Sequence, residues 1–263
     1  MADQLKFLLK FAVLAPSGHN TQPWNFSISG DAISLWVNRE RSLAGSDPHR
    51  RQLMMAFGCL IENLVIATSH CGMEARIDYF PDNKEPDLVA AITVTGGDTR
   101  GNDGDLVSAI PLRHTNRGKY LDRPLPERFL EKIKKYAAGD IAVSVVTDEA
   151  KKHRIADIVN DAQIEIMDRP EFREELSHFI KSSFTKEHTG MPGFALEIPA
   201  IISLFASQLI RRVNLSRKSR KKDDALLKQH TPGGFIIISS RKNDRLDWLA
   251  AGRTFEKIWL TAT

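Results

Sequence analysis

Apolar residues recur along the chain with two periods, and each change of period marks an element. Leu5, Leu8, Leu9, Phe11, Ala12 and Leu14 follow a helical spacing that Pro16, Ser17 and Gly18 interrupt, so a first helix ends there. Residues 24–29 and 32–37 alternate apolar and polar side chains about Gly30-Asp31, the pattern of a β-hairpin. Asp47-Pro48 predicts the start of a long helix, with Asp47 as its cap and Pro48 at its first position. Its apolar face carries Leu53, Phe57, Leu60, Leu64 and Ala67, and it ends near Gly72. Residues 76–80 and 88–94 read as two further strands. The glycine- and aspartate-rich run 96–104 then reads as a linker, dividing the chain into halves 1–104 and 105–263.

The second half repeats this grammar. Helices are predicted over 125–136, 149–167, 170–180 and 198–212, strands over 141–146 and 235–239, and a last helix from Asp244. Two short matches point to duplication. Phe7-Leu8 with Lys10 recurs as Phe129-Leu130 with Lys132, and Met55-Ala56-Phe57-Gly58 with Glu62 aligns with Leu249-Ala250-Ala251-Gly252 with Glu256. Chance likeness between two amphipathic helices is the other reading. Gly58 and Gly252 both fall inside helices, where glycine costs about 1 kcal/mol relative to alanine, so a closely approaching backbone or ligand is expected at both. The last helix reaches Thr263 without a terminating glycine, although its first-half counterpart is followed by two strands, so the second half reads as incomplete at its C-terminal end.

Composition narrows the class without choosing a function. The 263 residues are 42% hydrophobic and 27% charged, which fits a globular chain large enough to hold a core without a disulfide or metal. The net charge of +4 is local: Arg211, Arg212, Arg217, Lys218, Arg220, Lys221 and Lys222 supply seven positives, and the remainder is slightly acidic. That stretch reads as a solvated connector; an anionic membrane surface is the alternative, and nucleic acid a weaker one, since no aromatic residue is present to stack on bases. The apolar run 198–210 is shorter than the roughly 20 residues a membrane span needs, so no transmembrane segment is expected. Asp3, Lys6 and Lys10 do not suit a signal peptide, and a cytoplasmic location is the default. Cys59 and Cys71 could pair in principle, but Cys59 lies in a helical pattern and nothing indicates secretion. The eight histidines are scattered, and no metal, phosphate-loop, dinucleotide or serine-hydrolase signature occurs.

Two segments carry candidate chemistry. Residues 15–24 form a proline-bounded loop dense in hydrogen-bonding groups: Pro16, Ser17, Gly18, His19, Asn20, Thr21 and Gln22. Arg113, His114, Thr115, Asn116 and Arg117, followed by Lys119 and Tyr120, set two guanidinium groups and a hydroxyl at alternate positions, which suits a phosphate. Taken separately, the first is also an ordinary connector and the second an ordinary solvated face.

Together they resemble a family. A helix, then Ala15-Pro16-Ser17-x-x-Asn20-x-Gln22-Pro23-Trp24, then a strand hairpin is similar to the opening of the nitroreductase-like FMN-binding superfamily. Arg113-His114-Thr115-Asn116-Arg117 resembles its phosphate-binding Arg-x-Ser/Thr-x-Arg/Lys element. The two stand in the reverse of the usual order, which resembles the tandem, Acg-type branch in which two such halves fuse into a pseudo-dimer. The resemblance implies an α+β fold of two halves, each a mostly antiparallel sheet packed with helices, functioning as a monomeric pseudo-dimer or a homodimer. It implies one FMN site, with Arg113 and Thr115 at the phosphate, Arg117 at the N1/O2 edge of the ring, and Pro16, Ser17, Gly18 and Asn20 lining it. Gln22 and Trp24 read as scaffold. The turn at Gly190 resembles a family position near the flavin, or is a plain loop. The implied reaction takes two electrons from NADPH or NADH through FMN to a nitroaromatic, quinone or similar acceptor. Residues 185–196 and the basic stretch are candidates for a cover over the flavin. Two alternatives stay open: a protein that holds FMN with little turnover, and a truncated homologue that binds none.

Overall fold

Helix α2 (Arg51–His70) is apolar on nearly every side because nearly every side is covered: fourteen of its residues, from Leu53 to Thr68, are buried. By length and composition it could cross a membrane, but most of it is enclosed by the protein, as befits a core helix. In the computed structural model, which describes residues 1–97, 104–117, 120–121, 123–214 and 233–263, the architecture is α+β, with two compact units. The first comprises Met1–His114, Lys135–Ala142 and Ile238–Thr263, and the second Thr115–Lys134 and Val143–Ile237.

The first unit is built around α2. Strands β1 (Trp24–Ser29), β2 (Ala32–Val37), β3 (Met73–Tyr79) and β4 (Leu88–Gly96) form an antiparallel sheet in the order β1-β2-β4-β3. The expected hairpin has the expected bounds. Ser29 opposes Ala32, and Gly30 takes the left-handed conformation that closes the turn. Ile33, Leu35, Ile92 and Val94 face the core, where they meet α2 together with Leu5, Leu8 and Ala12 of α1 (Ala2–Ala12). Helix α2 begins three residues after Pro48. Arg50 adopts a left-handed conformation (φ 57°), and Asp47 caps from a distance, its carboxylate accepting from the Leu53 amide at 2.8 Å.

Helix α8 (Arg245–Ala262) lies directly against α2, with Asp244 capping it through the Asp247 amide. The two helix glycines meet at this contact. A Cβ on Gly58 would overlap the Leu249 carbonyl oxygen and stand 2.9 Å from the Arg253 nitrogen. One on Gly252 would overlap the Met55 carbonyl oxygen and stand 2.8 Å from the Met55 Cα. Both glycines are thus required by a close approach of backbones, and each is the other's neighbour. Cys59 and Cys71 are both free thiols.

The second unit includes α3 (Glu127–Lys134), α4 (Glu149–Asp168), α5 (Pro170–Phe179), α6 (Ala200–Ser203) and α7 (Ala206–Arg212). A small core joins Met167, Leu176, Ile180 and Ala206. The helix expected over 198–212 is interrupted: Leu204 and Phe205 form a turn between α6 and α7, and both side chains are exposed. Two-residue strands β6 (Ile180–Lys181) and β7 (Met191–Pro192) pair in parallel, while β5 (Ile141–Val146) pairs with β8 (Phe235–Ser240). Arg211 forms an ion pair with Glu174. Lys119, Arg217, Lys218, Arg220, Lys221 and Lys222 lie outside the described residues, as do residues 98–103 of the expected linker.

The glycine contact gives a direct test. Alanine is intrinsically the better helix former by about 1 kcal/mol, yet Gly58→Ala or Gly252→Ala is expected to lower stability by about 3 kcal/mol or more through overpacking against a backbone that has nowhere to move. Denaturant unfolding of the variants checks this, and unchanged or raised stability would contradict it.

Candidate functional site

The loop after α1 is held in an unusual backbone. His19, Asn20 and Gln22 all have positive φ (50°, 54° and 53°), a conformation that asparagine and histidine adopt more readily than glutamine does. Internal hydrogen bonds stabilise it. The Ser17 hydroxyl accepts from the Gln22 amide at 3.0 Å, and the Gln22 side-chain amide donates to Asn20 Oδ1 at 3.0 Å. Trp24 anchors its end, buried edge-on against Phe57. Gln22 and Trp24 therefore act as scaffold.

Beside this loop is an open cleft of about 190 Å³, lined by Pro16, Ser17 and Gly18, by Gln52, Met55, Ala56 and Cys59 of α2, and by Phe255 of α8. Most of its wall is apolar. It lies where the glycine-mediated contact brings α2 and α8 together, and so depends on that contact for its shape. Burial pushes the Cys59 thiol well above its usual range, with Glu256 adding to the effect, so this cysteine is a wall rather than a nucleophile.

Behind the cleft are two buried carboxylates. Glu62 is 1% exposed, and Arg253 reaches it at 2.7 Å and Lys257 at 3.3 Å, both from α8. Arg253 also donates to the Tyr79 hydroxyl at 2.9 Å. Glu256, fully buried, has a different setting. In the alignment that pairs Gly58 with Gly252, the residues of α2 equivalent to Arg253 and Lys257 are Cys59 and Asn63, both uncharged. Neither bonds Glu256: the Cys59 thiol donates to the Gly252 carbonyl at 3.3 Å and the Asn63 amide to the Phe11 carbonyl at 3.4 Å. Arg113 is the cation that Glu256 meets, Nε to Oε1 at 3.6 Å. Both Glu256 oxygens and Arg113 Nε lack hydrogen-bond partners. Burial raises the Glu256 carboxyl to about 7, against the pull of Arg113 and with a push from Glu62.

Arg113 belongs to the first unit. Its guanidinium donates to the Leu14 carbonyl at 3.0 Å and stacks over the Trp259 ring at 4.5 Å. Thr115, Arg117 and Gly190 belong to the second unit, where Arg117 donates to the Ala195 carbonyl at 3.3 Å and approaches Met191 Sδ at 3.8 Å. The Arg117 side chain and the turn at Gly190 are thereby brought together. Gly190 has φ 85°, and a Cβ there would lie 2.6 Å from the Phe179 carbonyl oxygen, so glycine is needed at this point. Thr115 is exposed, and Asn20 stays in the loop beside the cleft. Among the described residues no group of three or more His, Cys, Asp or Glu is placed to hold a metal ion. Sequence reasoning missed Met55, Ala56, Cys59 and Phe255 as cleft walls, because apolar wall and core residues follow the same helical spacing, and it missed Gln52, a polar residue in the first turn of α2. The signal for the carboxylates was present: Glu62 and Glu256 each stand four residues after a helix glycine, on a face that is otherwise apolar.

Glu256 makes stability depend on pH. Between 4.5 and about 7 the unfolded chain has released this proton while the folded chain retains it, so its contribution to stability is lost as pH rises through that window. Relative to Glu256→Gln, the wild-type chain is expected to lose about 3 kcal/mol across it. Unfolding at fixed pH values measures the difference, and parallel profiles for the two chains would contradict it.

No established protein-family profile matches the chain. Over its whole length it is 28% identical to "Putative NAD(P)H nitroreductase Rv3131" of Mycobacterium tuberculosis (strain ATCC 25618 / H37Rv), spanning 74% of that protein. It is 22% identical to "Putative NAD(P)H nitroreductase acg" of the same strain, over 99% of the chain and 77% of the relative. It is 26% identical to "Probable NAD(P)H nitroreductase PigM" of Serratia sp. (strain ATCC 39006), over 73% of the chain and 55% of that protein. The α+β chain is therefore similar, along its full length, to proteins named NAD(P)H nitroreductase, in keeping with the family its motifs resemble.

Proposed function

We propose that this chain is an FMN-dependent, nitroreductase-like oxidoreductase that takes electrons from NADPH or NADH and delivers them in pairs to a nitroaromatic, a quinone or a similar small acceptor. The observation that carries the reading is the cleft: the Pro16-Ser17-Gly18 loop faces an apolar slot between α2 and α8. The names of the relatives support the reaction class.

The residues present suit a flavin. Phe255, Met55 and Ala56 offer apolar surface to a planar ring, and the Ser17 hydroxyl, which accepts from Gln22, keeps its own proton to donate. Gln52 adds an amide at the same wall. Pro16, Ser17, Gly18 and Asn20 would lie along the ring, Arg113 and Thr115 would hold the phosphate, and Arg117, beside the turn at Gly190, would supply a cation to the ring's N1/O2 edge. The Arg113 guanidinium, whose Nε faces Glu256 and whose side chain is 11% exposed, would offer such a phosphate its outer edge. When bound, FMN supplies the electron transfer itself, so the side chains need only bind, orient and exclude water.

The same reading extends to ancestry. Halves 1–104 and 105–263 would descend from a duplication, and the reciprocal contacts of Gly58 and Gly252 support this: the oxygen that faces each glycine belongs to the residue three before the other. A pseudo-dimer of that kind keeps one flavin site per chain, whether the chain is monomeric or a homodimer. A cytoplasmic location belongs to the same proposal.

The visible spectrum of the purified chain, supplied with FMN and then with NADPH without oxygen, tests the function. A yellow protein whose absorption bleaches is expected. Flavin that binds but stays oxidised with both NADPH and NADH would favour a protein that only holds FMN, and a chain that remains colourless would favour a homologue that has lost the site.

A further inference from the structure

Glu256 and Glu62 occupy equivalent positions on two helices that touch through equivalent glycines, yet their surroundings differ in charge. Glu62 has two cations to itself, Arg253 and Lys257. Glu256 meets one, Arg113, at 3.6 Å, and neither of its oxygens is hydrogen-bonded although the side chain is fully buried. The groups around it complete this picture. Helix α2 contributes Cys59, Asn63 and the anionic Glu62; the segment after Ala109 contributes Arg113; on α8 itself the cations Arg253 and Lys257 are committed to Glu62. Tyr136, whose ring lies 5.7 Å from Lys257 Nζ, is hydrogen-bonded to Thr261.

Arg113 therefore has one internal counter-ion and spare donor capacity. Its side chain is 11% exposed, so it reaches the surface while Glu256 does not. An anion engaging Arg113 would compete with Glu256 for a single positive charge in a poorly solvated place, leaving two anions facing one cation. Proton binding at Glu256 removes that conflict, because a neutral carboxyl no longer competes for the charge.

We infer that Glu256 is the positioning partner of Arg113: it holds the guanidinium in place in the free protein and binds a proton when a phosphomonoester engages Arg113. This rests on reading Arg113 as the phosphate arm of the proposed flavin site. It turns a buried acid that bears no direct ligand contact into a determinant of how tightly a phosphate-bearing ligand binds at a given pH. The sign follows from the resting state. Glu256 retains its proton up to about 7 in the free protein, and loss of the Arg113 charge to a ligand moves that limit higher. Above neutrality, binding therefore takes up a proton and weakens as pH rises.

The test compares FMN with riboflavin, which has the same ring and no phosphate, by fluorescence titration of the full chain between about pH 7 and about pH 8.5, above the second phosphate ionisation near 6. Wild-type affinity for FMN is expected to fall by up to about tenfold per pH unit, while riboflavin binding stays flat. In Glu256→Gln the FMN profile is expected to flatten as well. Calorimetry on the wild-type chain in two non-phosphate buffers of different ionisation enthalpy reads the proton directly, with uptake approaching one per FMN and none per riboflavin, and needs no variant to fold. A flat wild-type FMN profile, equal slopes for the two flavins, or an unchanged slope in Glu256→Gln would overturn the inference while leaving the flavin site standing. Failure of both flavins to bind at any pH would overturn the site and the inference together.

Discussion

Helices α2 and α8 can touch as closely as they do because no side chain stands at residues 58 and 252. Each glycine lies against the carbonyl of the residue three before the other, so the contact is reciprocal, and a single added carbon on either side would force the backbones apart. Much of the first unit depends on this contact. It buries Leu249 with the core that α2 shares with the sheet, it sets Phe255 opposite Met55, Ala56 and Cys59, and it encloses Glu62 and Glu256. A cleft formed by two helices fixed in this way is shaped before any ligand arrives, which lowers the ordering cost of binding.

The same contact divides the electrostatics unequally. A buried carboxylate is costly unless it is paired, and Glu62 is paired twice. Replacing those cations by Cys59 and Asn63 at the equivalent positions leaves Glu256 with one long ion pair, to an arginine that also stacks on Trp259 and bonds Leu14. Glu62 thus has two cations beside it, whereas burial outweighs the single cation near Glu256 and raises that carboxyl to about 7. The loop that lines the cleft adds a third constraint. Its left-handed residues are stabilised by bonds from Ser17, Asn20 and Gln22 to one another, so its conformation is set by its own side chains.

Much of this was legible in the sequence, and the failures have causes. The hairpin was read with its observed bounds because strict alternation around Gly30-Asp31 leaves one register. The helix glycines were expected to mark a close approach, and they do, since nothing else offsets their cost within a helix. Helix α2 starts three residues later than Asp47-Pro48 indicates, because Asp47 caps through a turn, reaching Leu53 instead of the second or third residue after itself. The helix expected over 198–212 is interrupted at Leu204 and Phe205, whose side chains are exposed, while Ala206, Ile198 and Ile210 on either side pack into the small core of the second unit. In the site, the polar loop and the arginines were visible as motifs. The apolar walls were not, because a residue lining a cleft and one lining a core share the same spacing. The pairing of Arg113 with Glu256 joins residues far apart in the chain, and only the folded arrangement reveals it.

If the α2/α8 contact and the Pro16-Ser17-Gly18 loop form the proposed flavin site, the chain holds a single flavin. Counting FMN bound at saturation, on the wild-type chain and on a chain whose cleft is filled by Met55→Trp, tests it most directly. One flavin per chain is expected for the wild type, and none for the filled chain while its circular dichroism remains that of the folded protein. Two flavins per chain, or undiminished binding after the cleft is filled, would contradict it.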